Sequence, residues 1–248
     1  MRGNYIHKIR DIINNNFFFK IQKQFIVPSL EQKKILSDKN PSAKIEIIYN
    51  PIENNIRRTF GFIKKRNSKT LHIGVIGRLQ FNQKNIILLI NVAKTNIKKG
   101  FKSFIFDIIG DGKQKKKIIS MLKKEKIESY FKFHGWLNQD EIKKILHEKI
   151  DVVIIPSKFE TSPSLTLLEM FMIEFPLLVS DISAFINYVP RKFRFSSYDQ
   201  NELSNKLMKI YHGKFSFSDL KYQKEKISRQ HSQEEFIFNV KNFFNNLL

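Results

Sequence analysis

Short apolar runs alternate with amphipathic stretches along most of this chain, and from Thr70 onward the alternation is regular. Residues 71–76, 103–109, 130–134, 151–156 and 176–181 are brief runs rich in Ile, Val, Leu and Phe. Each reads as a strand buried on both faces. Between the runs, residues 84–95, 113–126 and 139–148 carry apolar residues at helical spacing. Ile86, Leu89, Ile90 and Ala93 make one such stripe, Ile118, Ile119 and Leu122 a second, and Ile142, Ile145 and Leu146 a third. Residues 193–195 read as an edge strand, and 201–211 and 234–248 as helices. Strands alternating with helices of that length predict an α/β fold, a doubly wound parallel sheet. The first part of the chain is less regular. Residues 24–29 read as a strand ending in a turn, 30–36 as a helix, and 44–53 as a strand closed by Asn50-Pro51. Asn14 to Phe19 is a biased patch that fits a helix end and a strand start. Residues 54–70 are basic and polar, as in a linker.

One stretch carries the densest chemistry, Pro156 to Met170. It reads as strand, polar loop and helix start. Ser162 suits an N-cap and Pro163 the first helical position. Leu165, Leu167, Leu168 and Phe171 follow as the apolar face. A helix start presents free N–H groups and the positive end of its dipole, and so attracts phosphate. Ser162, Pro163, Ser164 and Leu165 are therefore candidate anion contacts, bracketed by Glu160 and Glu169. A second constellation is Gly77-Arg78-Leu79 with Lys84. Gly77 lets the chain turn at a strand end, and Arg78 and Lys84 then project from the sheet edge where open α/β sheets bind ligands. The bland reading is a solvated pair in a lysine-rich chain. Gly110-Asp111-Gly112 is a weaker sign, since most such turns only connect strand to helix. His134 and Gly135 end another strand and face the same expected cleft; a packed ring is the plain alternative for His134.

The stretch from Glu160 to Glu169 resembles the donor-binding motif of family 4 glycosyltransferases (glycosyl transferases group 1), retaining enzymes of the GT-B fold. The resemblance spans about residues 25–248. It implies a Rossmann-like, donor-binding C-terminal half at 71–230 and a short remnant of the N-terminal, acceptor-side domain at 1–53. A linker at 54–70 and a crossover helix at 231–248 complete the division. It further implies that Glu160 meets the donor sugar and Glu169 the ribose hydroxyls. Arg78, Lys84 and the helix start would neutralise the departing diphosphate, and Gly110, Gly112, His134 and Gly135 would lie near the donor. The expected substrates are a nucleotide-diphosphate sugar and a glycan or lipid-linked acceptor, in bacterial surface polysaccharide or lipopolysaccharide assembly. No metal or other cofactor is expected. Three departures stand out. Eight residues separate Glu160 from Glu169, where the family usually has seven. Glu174 stands where the family usually has Gly before Pro176, and Pro51 replaces a Gly. With most of an acceptor domain missing, a non-catalytic remnant that at most binds nucleotide is the alternative.

Composition changes this picture in one respect. Lys and Arg number 44 against 23 Asp and Glu, a net charge of +21. A coding bias towards Lys, Asn, Ile and Phe accounts for much of it, yet the surface is basic whatever its origin. Nucleic acid is a third reading, but the lysines are spread over many helices rather than gathered in one stripe. There are no cysteines and no run long enough to span a membrane. The expected location is cytoplasmic, at the inner face of the cytoplasmic membrane through weak attraction to anionic lipid. Phe236, Val240, Phe243 and Phe244 make an aromatic face on the last helix. That face calls for self-association, a partner chain, or packing onto residues 1–50. The charge yields a test. Binding to anionic vesicles, followed by co-sedimentation, should fade as the Debye length falls from about 10 Å at 0.1 M salt to about 3 Å at 1 M. Binding that survives the higher salt would require apolar insertion instead.

Overall fold

The computed structural model describes residues 22–52 and 69–246. The patch at 14–19 and most of the 54–70 linker lie outside them. The chain divides into two compact units, one made of residues 1–51 with 230–248 and the other of 52–229.

In the first unit β1 (Gln24–Val27) pairs in parallel with β2 (Lys44–Ile47), joined by α1 (Leu30–Lys39). Ser29 caps α1 by accepting from Gln32 N. The terminal helix, α10 (Gln233–Asn245), belongs to this unit. His231 precedes it, buried, with Nδ1 2.7 Å from the Asn50 carbonyl. Phe236, Asn239, Val240 and Phe243 recur at helical spacing on the more buried side of α10, and Phe243 borders a groove with Gln24 and Ile26. Phe244 does not share that face. It is one step of about 100° further round and is exposed.

The second unit holds a six-stranded sheet, all parallel, in the order β5-β4-β3-β6-β7-β8. The strands are β3 (Leu71–Ile76), β4 (Phe104–Ile109), β5 (Phe131–Gly135), β6 (Val152–Ile155), β7 (Leu177–Ser180) and β8 (Arg194–Phe195). The helices are α2 (Phe81–Lys84), α3 (Ile86–Lys98), α4 (Lys115–Lys124), α5 (Gln139–Glu148), α6 (Leu165–Met172), α7 (Ser183–Ile186), α8 (Gln200–Tyr211) and α9 (Lys221–Gln230). Every residue of β6 and β7 is buried, as central strands covered on both faces require. Ring pairs reinforce the join between β4 and β5. Phe104 stacks on Tyr130 at 4.8 Å and Phe106 on Phe131 at 5.1 Å. Strand β3 is flanked by β4 and β6, so the winding reverses there. Right-handed crossovers then send α3 and α6 to opposite faces.

Two local features were not legible in the pattern. The helix expected over 84–95 is broken: Lys84 ends the single turn α2, and Asn85 adopts a left-handed conformation (φ 49°) before α3 begins. Asn tolerates that region, and its side chain donates to the Ser197 carbonyl at 2.8 Å. Glu174, in the position where the resemblance calls for Gly, is also left-handed (φ 55°). Its carboxylate takes Lys224 Nζ at 2.7 Å, which holds the strained turn.

His134 requires a correction. Its ring does not face the cleft. His134 Nε2 donates to Asp107 Oδ1 and His72 Nδ1 to Asp107 Oδ2, both at 2.7 Å, and Lys149 Nζ lies 3.8 Å from Oδ1. Asp107 is fully buried in mid-sheet, and a buried carboxylate recruits every donor within reach. Burial pushes its pKa up, but hydrogen bonds from His72 and His134, with the charges of His72 and Lys149, bring it below the ordinary 3.8. A depressed folded pKa contributes stability above the unfolded value, and that contribution is lost as pH falls through the folded one. Asp107→Asn should therefore cost about 3 kcal/mol at neutral pH, a drop of roughly 6–12 °C in Tm. The gap between variant and parent in thermal melts should narrow as pH falls below about 4.

Candidate active site

The reversal at β3 and β6 opens a crevice at their C-terminal ends, where open α/β sheets bind ligands. Gly77, Arg78 and Lys84 line it from the β3 side, and Ser157, Ser164 and Thr166 from the β6 side. The floor is apolar, with Val75, Leu79 and Ile155. Arg78 is exposed and makes no ion pair with a described residue.

The helix start differs from expectation. Ser164, not Ser162, is the N-cap of α6: its Oγ accepts from Leu167 N at 3.3 Å, and Leu168 N bonds its carbonyl at 3.2 Å. Pro163 thus precedes the cap instead of opening the helix, and it is buried. Ser162-Pro163 satisfied the composition rule for a cap, but Ser164 satisfies it too, two residues on, and Pro needs no N–H before the cap. The shift matters, because the N–H groups of Leu165 and Thr166 now head the helix at the crevice. Leu165 projects its side chain to solvent, and Glu169 sits half-buried in the second turn of α6.

Glu160 lies in the loop after β6, and its carboxylate is fully engaged. Oε1 receives Lys84 Nζ at 2.5 Å and Ser157 Oγ at 2.8 Å, and Oε2 receives Gln83 Nε2 at 2.9 Å. Lys158 N also donates to the Gln83 carbonyl at 2.8 Å. The two loops that flank the crevice are therefore tied by main chain and by side chains. Ser157, Gln83 and Thr166 were not picked out from the sequence. Ser157 follows an apolar strand by two positions, and Thr166 becomes visible only once the cap moves to Ser164.

Gly110 and Gly112 support the site rather than line it. A Cβ at Gly110 (φ 135°) would stand 2.1 Å from the Gly77 carbonyl oxygen, and one at Gly112 would stand 2.6 Å from that of Leu79. Gly77 N bonds the Ile109 carbonyl and Leu79 N the Asp111 carbonyl. The turn after β4 is thus pressed under the turn that carries Arg78. Gly135 ends β5, two strands from the switch point, with φ 74°.

With this geometry in view, comparison with known proteins is decisive. The family model for glycosyl transferases group 1 matches residues 57–230. The chain belongs to that family. No curated protein sequence matches it. Among solved structures it is similar to a TarM variant from S. aureus, crystallised with Fondaparinux, alpha-GlcNAc-glycerol and UDP. The identity there is 21% over 93% of this chain and 46% of that one, with a TM-score of 0.75. Against Anabaena HepE in complex with UDP the identity is 14% over 90% and 64%, at 0.72. Against the lipopolysaccharide outer core galactosyltransferase WaaB it is 17% over 100% and 82%, at 0.61. These likenesses concern the fold: the six-stranded unit is the Rossmann-like half of a GT-B architecture. The chain spans about half the length of TarM.

The glycine contact gives a stability test. Gly110→Ala should cost at least about 2 kcal/mol through overlap and strain together. Gly135→Ala has left-handed strain but nothing within 4 Å of the added methyl, and should cost about 1 kcal/mol. Denaturant melts of the pair check the difference. Equal losses would mean that the turn after β4 does not press on the Arg78 turn.

Proposed function

We propose that this chain binds a nucleotide-diphosphate sugar in the crevice between β3 and β6 and supplies the donor side of a retaining glycosyl transfer. The observation that carries the reading is convergence. Arg78, Lys84 and the N–H groups heading α6 meet at one switch point, in a chain of the glycosyl transferases group 1 family. Arg offers a forked donor for phosphate oxygens, Lys a compact charge, and the helix start fixed dipoles. Together they stabilise the charge that grows on the diphosphate as its bond to the sugar breaks and the new glycosidic bond forms. Glu169 lies one turn into the same helix, as a ribose contact would, and Glu160 borders the place of the sugar.

The acceptor is a glycan or a lipid-linked sugar of a bacterial surface polysaccharide or lipopolysaccharide. WaaB, named for lipopolysaccharide outer core, supports that choice. A location at the inner face of the cytoplasmic membrane goes with such an acceptor and with the basic surface. A second reading, nucleotide binding without transfer, is favoured by the eight residues between Glu160 and Glu169 where the family usually has seven, and by Glu174 in place of the usual Gly.

Calorimetry separates these readings. UDP or GDP should bind more tightly than the matching monophosphate, and replacing Arg78 and Lys84 together by Ala should remove the preference. Equal affinity for mono- and diphosphate would rule out the crevice as a diphosphate site. A diphosphate preference without turnover of any nucleotide-sugar, alone or with glycan acceptors, would favour the binder.

A further inference from the structure

Lys84 and Glu160 come from opposite sides of the switch point, one from the turn after β3 and the other from the loop after β6. Their side chains are only 22% and 10% exposed. The ion pair is held from the carboxylate end. Ser157, fully buried, and Gln83 both donate to Glu160, and neither carries charge. Glu160 therefore has anchors other than Lys84. Arg78 has no such counter-ion among the described residues. The two cations of the crevice are thus unequal: one is unopposed, and one is neutralised in advance.

We propose that Glu160 is a positioning residue that aims Lys84 and sets how tightly the crevice holds a diphosphate. Lys84 exchanges between the Glu160 carboxylate and the anion. Glu160, anchored by Ser157 and Gln83, stays behind and recovers the amine when the anion leaves. This inference rests on the donor reading above. Its consequence is opposite in sign to that of an ordinary structural role. A fixed carboxylate beside the site opposes a diphosphate, both by competing for Lys84 and by like-charge repulsion. Removing its charge while keeping its shape should strengthen diphosphate binding.

The test is calorimetric titration of UDP into the intact chain and into Glu160→Gln. The variant should bind UDP about tenfold more tightly, the scale of one close charge–charge interaction at partial burial. Unchanged or weaker UDP binding in the variant overturns the proposal. A role confined to the sugar would leave UDP untouched and weaken only the nucleotide-sugar. A purely structural pin would weaken UDP and lower the melting temperature. If neither protein binds UDP or GDP, the donor reading falls, and this one with it; if only GDP binds, the same comparison is made with GDP. Should Glu160→Gln fail to fold, lysine-amine NMR of the parent decides. UDP must then shift the Lys84 Nζ resonance, and a signal that stays fixed while UDP binds overturns the exchange.

Discussion

A parallel sheet that reverses its winding direction leaves a gap that its own helices cannot fill. Here the reversal falls between β3 and β6, and the rest of the site depends on it. Crossovers of one hand carry α3 and α6 to opposite faces, so the two turns leading to them part at the sheet edge. What would be a packed helix–strand corner elsewhere becomes a crevice with polar groups on both lips. Arg78 and Lys84 occupy one lip, and Ser157 and the head of α6 the other.

A gap alone aims nothing. The turn after β3 is fixed from below by the turn after β4, close enough that only glycine fits at 110 and 112. It is fixed from the side by Asn85, whose left-handed backbone stops the helix and whose amide holds the Ser197 carbonyl. Had a continuous helix run from Lys84 onward, as the apolar spacing suggested, Lys84 would lie at its start instead of ending the separate turn α2. The break puts it on a one-turn element bridged to the opposite loop by Gln83 and Glu160.

The sequence made the sheet legible because buried parallel strands are apolar over most of their length: β6 is throughout, and β3, β4 and β7 are but for His72, Asp107 and Ser180. The helices with stripes, α3, α4 and α5, were legible for the same reason. Helix α9 was not. Ile227 is the only buried residue that it presents, so no period emerges from its charged positions. Edges of elements were misplaced where two residues offered the same chemistry, as Ser162 and Ser164 did. Arg78, Lys84 and Ser164, named as candidates from charge near a strand end and from a helix start, all line the crevice. Asp107 was not found, because its meaning is wholly tertiary. Nothing in residues 104–109 says that rings from β3 and β5 will converge on it. His134 was misassigned for the same reason: its partner lies 27 positions away.

Net charge explains little of this. A chain with +21 attracts anions everywhere, so attraction cannot single out one crevice. The crevice differs from the rest of the surface in its placed donors: a forked guanidinium, helix N–H groups, and an amine held at a fixed point. Those same donors create the opposite difficulty. On the proposed function the nucleotide diphosphate must also leave, and a site that only attracts it slows release. An unopposed Lys84 beside Arg78 would bind product as strongly as it stabilised the leaving charge. A carboxylate anchored by neutral donors answers both needs. In the role proposed for Glu160, it keeps the amine in place between turnovers without spending the charge of Arg78, and it offers the amine a partner when the product departs. In a protein so rich in lysine, the residue proposed to tune the crevice is thus an acid.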